Sequence, residues 1–299
     1  MTAVAAPRQA PELRSPKGWR STKNRIMTIL MVSAFVITLI PLGFFLFTVI
    51  AKGASVISFQ FLFGQPIPPN TLPATEGGMW PAVLGTIEIT ALATVMAVPL
   101  GVLGAIYLNE YGGRNWLAGL IGFMSDVMTG VPSIVMGLFI FSIWVLHFGF
   151  SGLAGAFALA CLMLPVVIRS TDEMLKLVPN SLREGSYALG ATKSRVTVTV
   201  VLPAAIGGIL SGALLAVARA AGETAPLLFT ILTVTAANPN VFHGPNTSLP
   251  SQIFVNASSA FTGAQDRGWG AALTLVVIAF VLMIAARIVT ARFTRFQQR

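Results

Sequence analysis

Six long apolar runs limit how this sequence can fold more than any other feature. A helix needs about 17–25 apolar residues to cross the hydrocarbon core of a bilayer. Only backbone that satisfies its own hydrogen bonds can cross lipid, so such runs predict transmembrane α-helices. The predicted spans are 26–51, 80–108, 116–146, 152–168, 204–232 and 269–288. We therefore expect an all-α integral membrane protein with six transmembrane helices.

The composition agrees with a membrane protein and excludes an ordinary soluble domain. The 299 residues are 55% hydrophobic and 10% charged, whereas about a quarter of the residues of soluble domains are charged. The formal net charge of +9 would by itself fit a nucleic-acid partner. In membrane proteins, however, Lys and Arg mark the cytoplasmic side, so their distribution decides between the two interpretations.

The basic residues fall almost entirely on one side of the predicted topology. Sixteen of the nineteen Lys and Arg precede the first span, lie at or beyond the end of the sixth, or lie in the second-to-third and fourth-to-fifth loops. Only Lys52 and Arg267 lie on the other side, and Arg219 lies within a span. The positive-inside rule then places both termini in the cytoplasm. This asymmetry removes the case for a nucleic-acid partner.

Local composition divides the chain further. Residues 1–25 hold six Arg or Lys, three prolines and no apolar periodicity, which predicts a disordered basic cytoplasmic tail. Residues 291–299 form a second basic tail, and the membrane domain covers 26–290. Within the third run, Pro132 cannot continue a helical hydrogen-bond ladder. It predicts either a kinked span or a short helix followed by a span.

The fourth-to-fifth loop, 169–203, is the longest polar interruption between spans that also carries a charge cluster. Its second part reads REGSYALGATKSRVTVTVVLP over 183–203. A turn between spans needs only a few residues, so this charged, helix-competent stretch predicts a docking surface for a cytoplasmic partner. The alternative is an amphipathic loop without a partner.

A spaced motif within this loop carries a resemblance. Its residues are Glu184, Gly185, Ser186, Gly190, Val200, Leu202 and Pro203. The spacing resembles the E-A-A-x3-G-x9-I-x-L-P loop of ABC importer permeases, with Gly-Ser in place of Ala-Ala and Val in place of Ile. The resemblance implies two short helices, separated by a turn at the second glycine, that sit in a groove on a cytoplasmic ATPase.

Two charges lie inside the fifth span, in VARAAGETAPLL: Arg219 and Glu223. A charge at the bilayer centre costs about 2.5–3.5 kcal/mol on insertion scales, so neither is expected to face lipid. Four residues apart on one helix face, the two can pair. Either they neutralise each other inside the bundle, or they line a solute pathway. In the second case the guanidinium fork binds an oxyanion and the carboxylate tunes how strongly it is held.

Other polar positions are less specific. Asp126 and Glu88 could face a pathway, neutralise an arginine, or lie in an interfacial segment, and Arg169 could simply anchor its span at the interface. The single cysteine, Cys161, lies in an apolar run and is expected to pack there. The sequence has no metal-ligand spacing, Walker A loop, HExxH or GxSxG pattern, so we expect no catalytic residue, no metal and no cofactor bound by this chain.

A second resemblance covers residues 77–230. The segments GGMWPAVLGTIEIT, SDVMTGVPSIVMGLF, LPVVIRSTDEM and ARAAGETAPLLFT, in this order, resemble the phosphate-transport permeases of the PstA family. The resemblance implies a type I ABC importer permease fold in the plasma (inner) membrane of a prokaryote, surrounded by lipid. It places Arg219 and Glu223 on the family's intramembrane charged pair, and Arg169 at the inner mouth of the fourth span.

The same resemblance implies partners. These are a second, related permease chain, two copies of a cytoplasmic ATPase that uses ATP and Mg²⁺, and an extracytoplasmic phosphate-binding protein. Three alternatives stay open: a permease for sulfate, molybdate or phosphonate, an ion-driven secondary transporter, or a membrane scaffold without transport.

Overall fold

The computed structural model describes residues 19–66, 77–113 and 115–297, and these residues contain helices and no β-strand. The helices are α1 Trp19–Ala54, α2 Phe59–Phe63, α3 Trp80–Ile106, α4 Trp116–Gly130, α5 Ser133–Ile140, α6 Leu146–Phe148, α7 Gly152–Lys176, α8 Asn180–Ala188, α9 Lys193–Val196, α10 Leu202–Ala220, α11 Ala225–Thr230, α12 Leu249–Ala257 and α13 Thr262–Gln297. Three π-helical turns extend or join them: Tyr107–Tyr111, Phe141–Val145 and Thr197–Val201. The predicted all-α class is confirmed.

The number of spans also agrees with the sequence. Within the described residues, five helical stretches are long and apolar enough to cross a membrane: Trp19–Ala54, Trp80–Tyr111, Gly152–Lys176, Lys193–Ala220 and Thr262–Ala285. The pair Trp116–Gly130 and Ser133–Phe148 passes the same test but is bent by 108°. Pro132 lies at the bend, where the missing N–H and the fixed φ of proline interrupt the ladder. Counted as one broken span, this pair brings the total to six.

Helices extend beyond the predicted spans at both ends of the chain. Helix α1 begins at Trp19, so residues 19–25 are helical and the prediction of disorder is wrong for them. Residues 1–18 lie outside the described part. Helix α13 continues to Gln297, so most of the predicted C-terminal tail is helical too. Neither extension contains Gly or Pro, and once a helix has nucleated, adding residues to it costs little.

The chain divides into two compact units between Thr48 and Val49, within α1. None of the described side chains from Trp19 to Thr48 is buried. This part of α1 is therefore an apolar helix whose side chains suit a lipid or protein surround. The second unit holds the functional residues and is described below.

The fourth-to-fifth loop and the fifth span differ most from their predictions. Helix α7 runs on to Lys176, so the first eight residues of the predicted loop continue the fourth span. The second short helix is not separate either, because α9, a π-helical turn and α10 join without a break from Lys193 to Ala220. The fifth span instead breaks over 221–224, and α11 follows. Gly222 lies within the break and Pro226 lies in the first turn after it. Together they explain the break, since glycine weakens a helix and proline suits the first turn of the next one.

Helices α3, α7 and α10 form the centre of the second unit. Ile89, Leu159 and Ile231 are almost fully buried in the core between them. Small residues bring the helices together: a Cβ on Gly101 would overlap Val167. Likewise a Cβ on Gly212 would overlap Ser170. Close backbone approach over small residues is typical of packed membrane helices.

The end of the unit predicted to lie outside is closed by an ordered polar cap. Its buried members are Asn246, Thr247, Ser248, Ser251 and Gln252. The backbone N–H of Leu249 donates to Thr86 Oγ1 on α3 at 2.8 Å. The Gln252 amide donates to the carbonyl oxygen of Val234 at 3.0 Å. The segment 233–268 is thus tied to the helices by hydrogen bonds that stay satisfied away from water.

Candidate translocation and coupling sites

Arg219 and Glu223 pair across the break in the fifth span. Arg219 lies in the last turn of α10, whereas Glu223 lies beyond its end, so the prediction that both project from one helix is wrong. The turn at the break still brings Arg219 Nε to 3.5 Å from Glu223 Oε1. The Arg219 side chain is 72% exposed and that of Glu223 is 20% exposed. The guanidinium therefore keeps most of its donors available to another group.

The surroundings of Arg219 show its depth. Arg219 and Glu223 share a small cleft with Leu162, Met163 and Val166. These three residues lie near the middle of α7, a span of 25 residues from Gly152 to Lys176. A cation at this depth that faced hydrocarbon would be costly, and intramembrane charges generally face the bundle interior or a water-filled cavity. The exposed face of Arg219 is thus expected to border a polar route or a neighbouring subunit.

Arg169 lies on the face of α7 that borders the cleft of Arg219 and Glu223. The spacings Leu162, Val166 and Arg169 put these side chains on one helix face, with Arg169 about 10 Å beyond Leu162 towards the inner end. Arg169 forms an ion pair with Asp126 of α4, and both side chains are about half exposed. Of the three interpretations open for Asp126, the structure supports neutralisation of an arginine. Two arginines that each have a carboxylate partner thus lie along one face of α7. Arg219 belongs to α10 and lies against the middle of α7, and Arg169 belongs to α7 itself.

Glu88 has no such partner. One of its carboxylate oxygens is buried and makes no hydrogen bond to the described protein atoms. Among the described residues, the structure therefore does not pair Glu88 with an arginine.

Helix α8 carries three residues of the predicted docking surface, Glu184, Gly185 and Ser186. Glu184 and Gly185 are exposed on it, and Ser186 is half-buried with its hydroxyl donating to the carbonyl oxygen of Leu182 at 2.8 Å. Leu189, just after the helix, is 90% exposed. Leu177, Leu182 and Tyr187 nearby are exposed as well, and a group of exposed apolar side chains beside a charged helix is typical of a protein-binding surface.

Gly190 ends α8 in a conformation that favours glycine. Its φ is +79°, in the left-handed region. The N–H of Gly190 donates to the carbonyl oxygen of Tyr187 at 2.9 Å, and the N–H of Ala191 donates to that of Ser186 at 3.2 Å. This pair of bonds is the Schellman motif, which closes a helix with glycine in the left-handed conformation. The turn implied at Gly190 is present.

Comparisons with known proteins agree with this geometry. The family described as "Binding-protein-dependent transport system inner membrane component" matches residues 97–295. A "Phosphate transport system permease protein PstA" from Yersinia pestis is 42% identical over 280 residues, covering 93% of this chain and 94% of the relative. A protein named "Phosphate transport system permease protein PstA 1" from Mycobacterium tuberculosis is also 42% identical, over 94% of this chain and 92% of its own length.

The chain belongs to the PstA family of binding-protein-dependent transport permeases.

Solved structures support the fold of this PstA-family chain. A chain of a bacterial alginate ABC transporter, in complex with an alginate pentasaccharide-bound periplasmic protein, matches with a TM-score of 0.61 at 12% identity. That match covers 92% of this chain and 98% of the other. A chain of the MetNI methionine ABC transporter matches with a TM-score of 0.57 at 18% identity, covering 72% of this chain and 94% of the other. The type I ABC importer permease fold is confirmed.

Two predicted coupling residues lie away from α8 in this PstA-family chain. Leu202 and Pro203 open α10, directly after the π-helical turn Thr197–Val201. Proline lacks the N–H that would bond back into this turn, and a local change of helical pitch is a common response. These two residues lie within the continuous helix from Lys193 to Ala220, whereas Glu184 and Gly185 lie on the exposed helix α8.

Sequence reasoning did not predict the ion pair that joins α8 to the end of α3 in this PstA-family chain. Arg183, on α8, reaches Glu110 in the π-helical turn below α3, with Nη2 at 2.8 Å from Oε1. The two residues are 73 positions apart, too far for any helical spacing rule to join them. The one available signal was that both were predicted to lie on the cytoplasmic side, next to the inner ends of spans.

Proposed function

We propose that this chain is a transmembrane permease subunit of an ATP-driven, binding-protein-dependent importer of inorganic phosphate, and that it forms half of the translocation pathway. Membership in the PstA family supports phosphate as the substrate. Arg219 is the single observation that carries the pathway, because it lies against the middle of α7 with 72% of its side chain exposed and with Glu223 as its partner.

The charges along α7 suit the passage of a tetrahedral oxyanion. A guanidinium offers a planar fork of donors to such a group, and water-excluded surroundings strengthen each bond. Glu223 offsets part of the charge of Arg219, so the anion is attracted without being trapped. Arg169, paired with Asp126, continues the route towards the inner mouth.

The chain performs no chemistry in this proposal. An extracytoplasmic binding protein presents phosphate to the outer mouth, and a second permease chain supplies the other half of the pathway. Two cytoplasmic ATPase subunits bind ATP and Mg²⁺ and grip α8, whose exposed face carries Glu184 and Gly185. Their closure drives the spans between outward and inward access.

Uptake of radiolabelled phosphate tests this proposal. Cells that lack the chain are supplied with the parent protein, Arg219→Gln, or the matched control Arg25→Gln, which removes an exposed arginine side chain of α1. We expect the parent and the control to restore uptake and Arg219→Gln to fail, with no competition from sulfate or molybdate. Equal restoration by all three would reduce Arg219 to a structural charge. Uptake of sulfate or molybdate without uptake of phosphate would show that the substrate is another oxyanion.

A further inference from the structure

Arg183 ties α8 to the inner ends of two spans. Its Nε and Nη2 donate to Glu110 Oε1 at 3.2 and 2.8 Å. Its Nη1 donates to the carbonyl oxygen of Val178 at 2.6 Å, and its Nη2 to that of Leu175 at 3.0 Å. A longer contact of 3.4 Å joins Nη2 to Asn109 Oδ1. We name Arg183, Glu110 and Asn109 the inner clamp, since they join α8 to α3 and, through Leu175, to α7.

Burial distinguishes this contact from a surface ion pair. The side chains of Arg183 and Glu110 are 13% and 4% exposed. Exposed pairs contribute little and rearrange freely, whereas a buried pair with its remaining donors satisfied has one strongly preferred geometry. The inner clamp is therefore a stiff joint.

The π-helical turn below α3 places Glu110 in this joint. Along α3 the buried stripe recurs every four residues, through Ala97, Gly101 and Ala105. It then continues at Glu110, five residues further on. The turn Tyr107–Tyr111 has i→i+5 hydrogen bonds in place of i→i+4, which accommodates the extra residue and keeps the carboxylate on the inward face.

Helix α8 depends on this joint because its own packing is weak. None of its nine residues, all of which the structure describes, is buried. The second half of the loop reaches the same turn, since Lys193 Nζ lies 5.2 Å from the centre of the Tyr111 ring. Helix α3 in turn packs along α7, with Gly101 against Val167. A force on α8 therefore has a continuous packed route to the helix that carries Arg169.

We propose that the inner clamp transmits the displacement of α8 to α3 and α7, so that Arg183 and Glu110 are positioning residues that couple ATP hydrolysis to transport. This inference rests on the proposed function, because it takes α8 as the surface that the ATPase grips. It assigns a role to two residues that touch neither the anion nor the nucleotide.

The test measures phosphate moved per ATP hydrolysed. The complete transporter, with its second permease, ATPases and binding protein, is reconstituted in liposomes with the parent chain, Glu110→Gln, Arg183→Lys or the control Arg25→Gln, which removes an exposed basic side chain of α1. Glu110→Gln keeps the shape and an acceptor oxygen but removes the charge. Arg183→Lys keeps the charge but loses the planar fork that reaches several acceptors at once.

In the two clamp variants we expect an assembled complex that still hydrolyses ATP, with roughly tenfold less phosphate per ATP, a size typical of coupling between sites. The control is expected to match the parent. An unchanged ratio in both clamp variants would overturn the inference. Loss of the assembled complex in both would also overturn it, because the clamp would then be only a structural support.

Failure of the proposed function is visible separately. A parent complex that hydrolyses ATP and moves no phosphate would overturn the proposed function, and the coupling role with it. A defect confined to the clamp variants supports the coupling role, since the parent then serves as the proof of transport.

Discussion

The two arginine–glutamate pairs of this chain are made of the same residue types and have opposite surroundings. Arg219 and Glu223 are four residues apart, 3.5 Å between nearest atoms, with the arginine 72% exposed. Arg183 and Glu110 are 73 residues apart, in contact at 2.8 Å, and their side chains are only 13% and 4% exposed. The exposed pair leaves donors available for a passing anion. The buried pair uses its donors on the protein itself, which suits it to hold helices in place.

Stability is expected to show the largest difference between the pairs. Arg183→Gln leaves Glu110 as a buried, unpaired carboxylate, and breaking such a pair typically costs about 3–5 kcal/mol of the free energy of unfolding. The measurement is the midpoint of thermal unfolding of the purified chain in detergent. Arg219→Gln is the matched control and is expected to leave the midpoint close to that of the parent. Equal unfolding midpoints for Arg183→Gln and Arg219→Gln would contradict the distinction between the two pairs.

Transport is expected to depend more on Arg219 than on Arg183, which is the reverse of the order expected for stability. Arg219→Gln removes the fork that binds the anion, and we expect uptake to fall about 100-fold, which corresponds to about 2.7 kcal/mol in the barrier. Arg219→Lys keeps the charge without the fork, and its uptake is expected to lie between that of the parent and that of Arg219→Gln. Initial rates of phosphate uptake at matched protein levels measure the effect. A lysine variant as inactive as the glutamine variant would argue against a role for charge alone.

Two glycines, Gly185 on α8 and Gly190 just after it, test how closely α8 is packed and how much its closing turn contributes to stability. Gly190→Ala forces a Cβ into the left-handed region and is expected to cost about 1–2 kcal/mol. Gly185→Ala is the control, because its Cβ would meet no atom within 4 Å, and alanine favours a helix by roughly 1 kcal/mol over glycine. Thermal unfolding should rank Gly185→Ala at or above the parent and Gly190→Ala below it. A destabilised Gly185→Ala would show that α8 is packed more closely than its exposure indicates.

Anion selectivity is the smallest expected effect. Phosphate near neutral pH keeps a proton that it can donate to the carboxylate of Glu223, whereas sulfate has none. Glu223→Gln is therefore expected to reduce the preference for phosphate over sulfate by roughly fivefold, the size of one hydrogen bond. Competition of sulfate against labelled phosphate measures this preference. Unchanged sulfate and phosphate transport in this variant would exclude the carboxylate from selectivity.

The sequence was most informative where a rule is local. Apolar length predicted the spans, Pro132 predicted the break in the third run, and the resemblance of the loop motif to that of ABC importer permeases implied a helix followed by a turn at Gly190. The pairing of Arg219 with Glu223 was also predicted, although from a continuous helix that is not present. The break at 221–224 had a signal in Gly222 and Pro226, but propensity alone did not show whether the span would bend or stop there.

The sequence by itself determined that this chain is an all-α membrane protein of the ABC importer permease class, because hydrophobic length, charge asymmetry and local motifs depend on neighbouring residues. Tertiary structure decided which charges are exposed and which are buried. Glu110 meets Arg183 because α8 lies against the inner ends of α3 and α7 and because a π-helical turn keeps the carboxylate on the inward face. Burial and contact between distant residues depend on packing, and no sequence spacing specifies them.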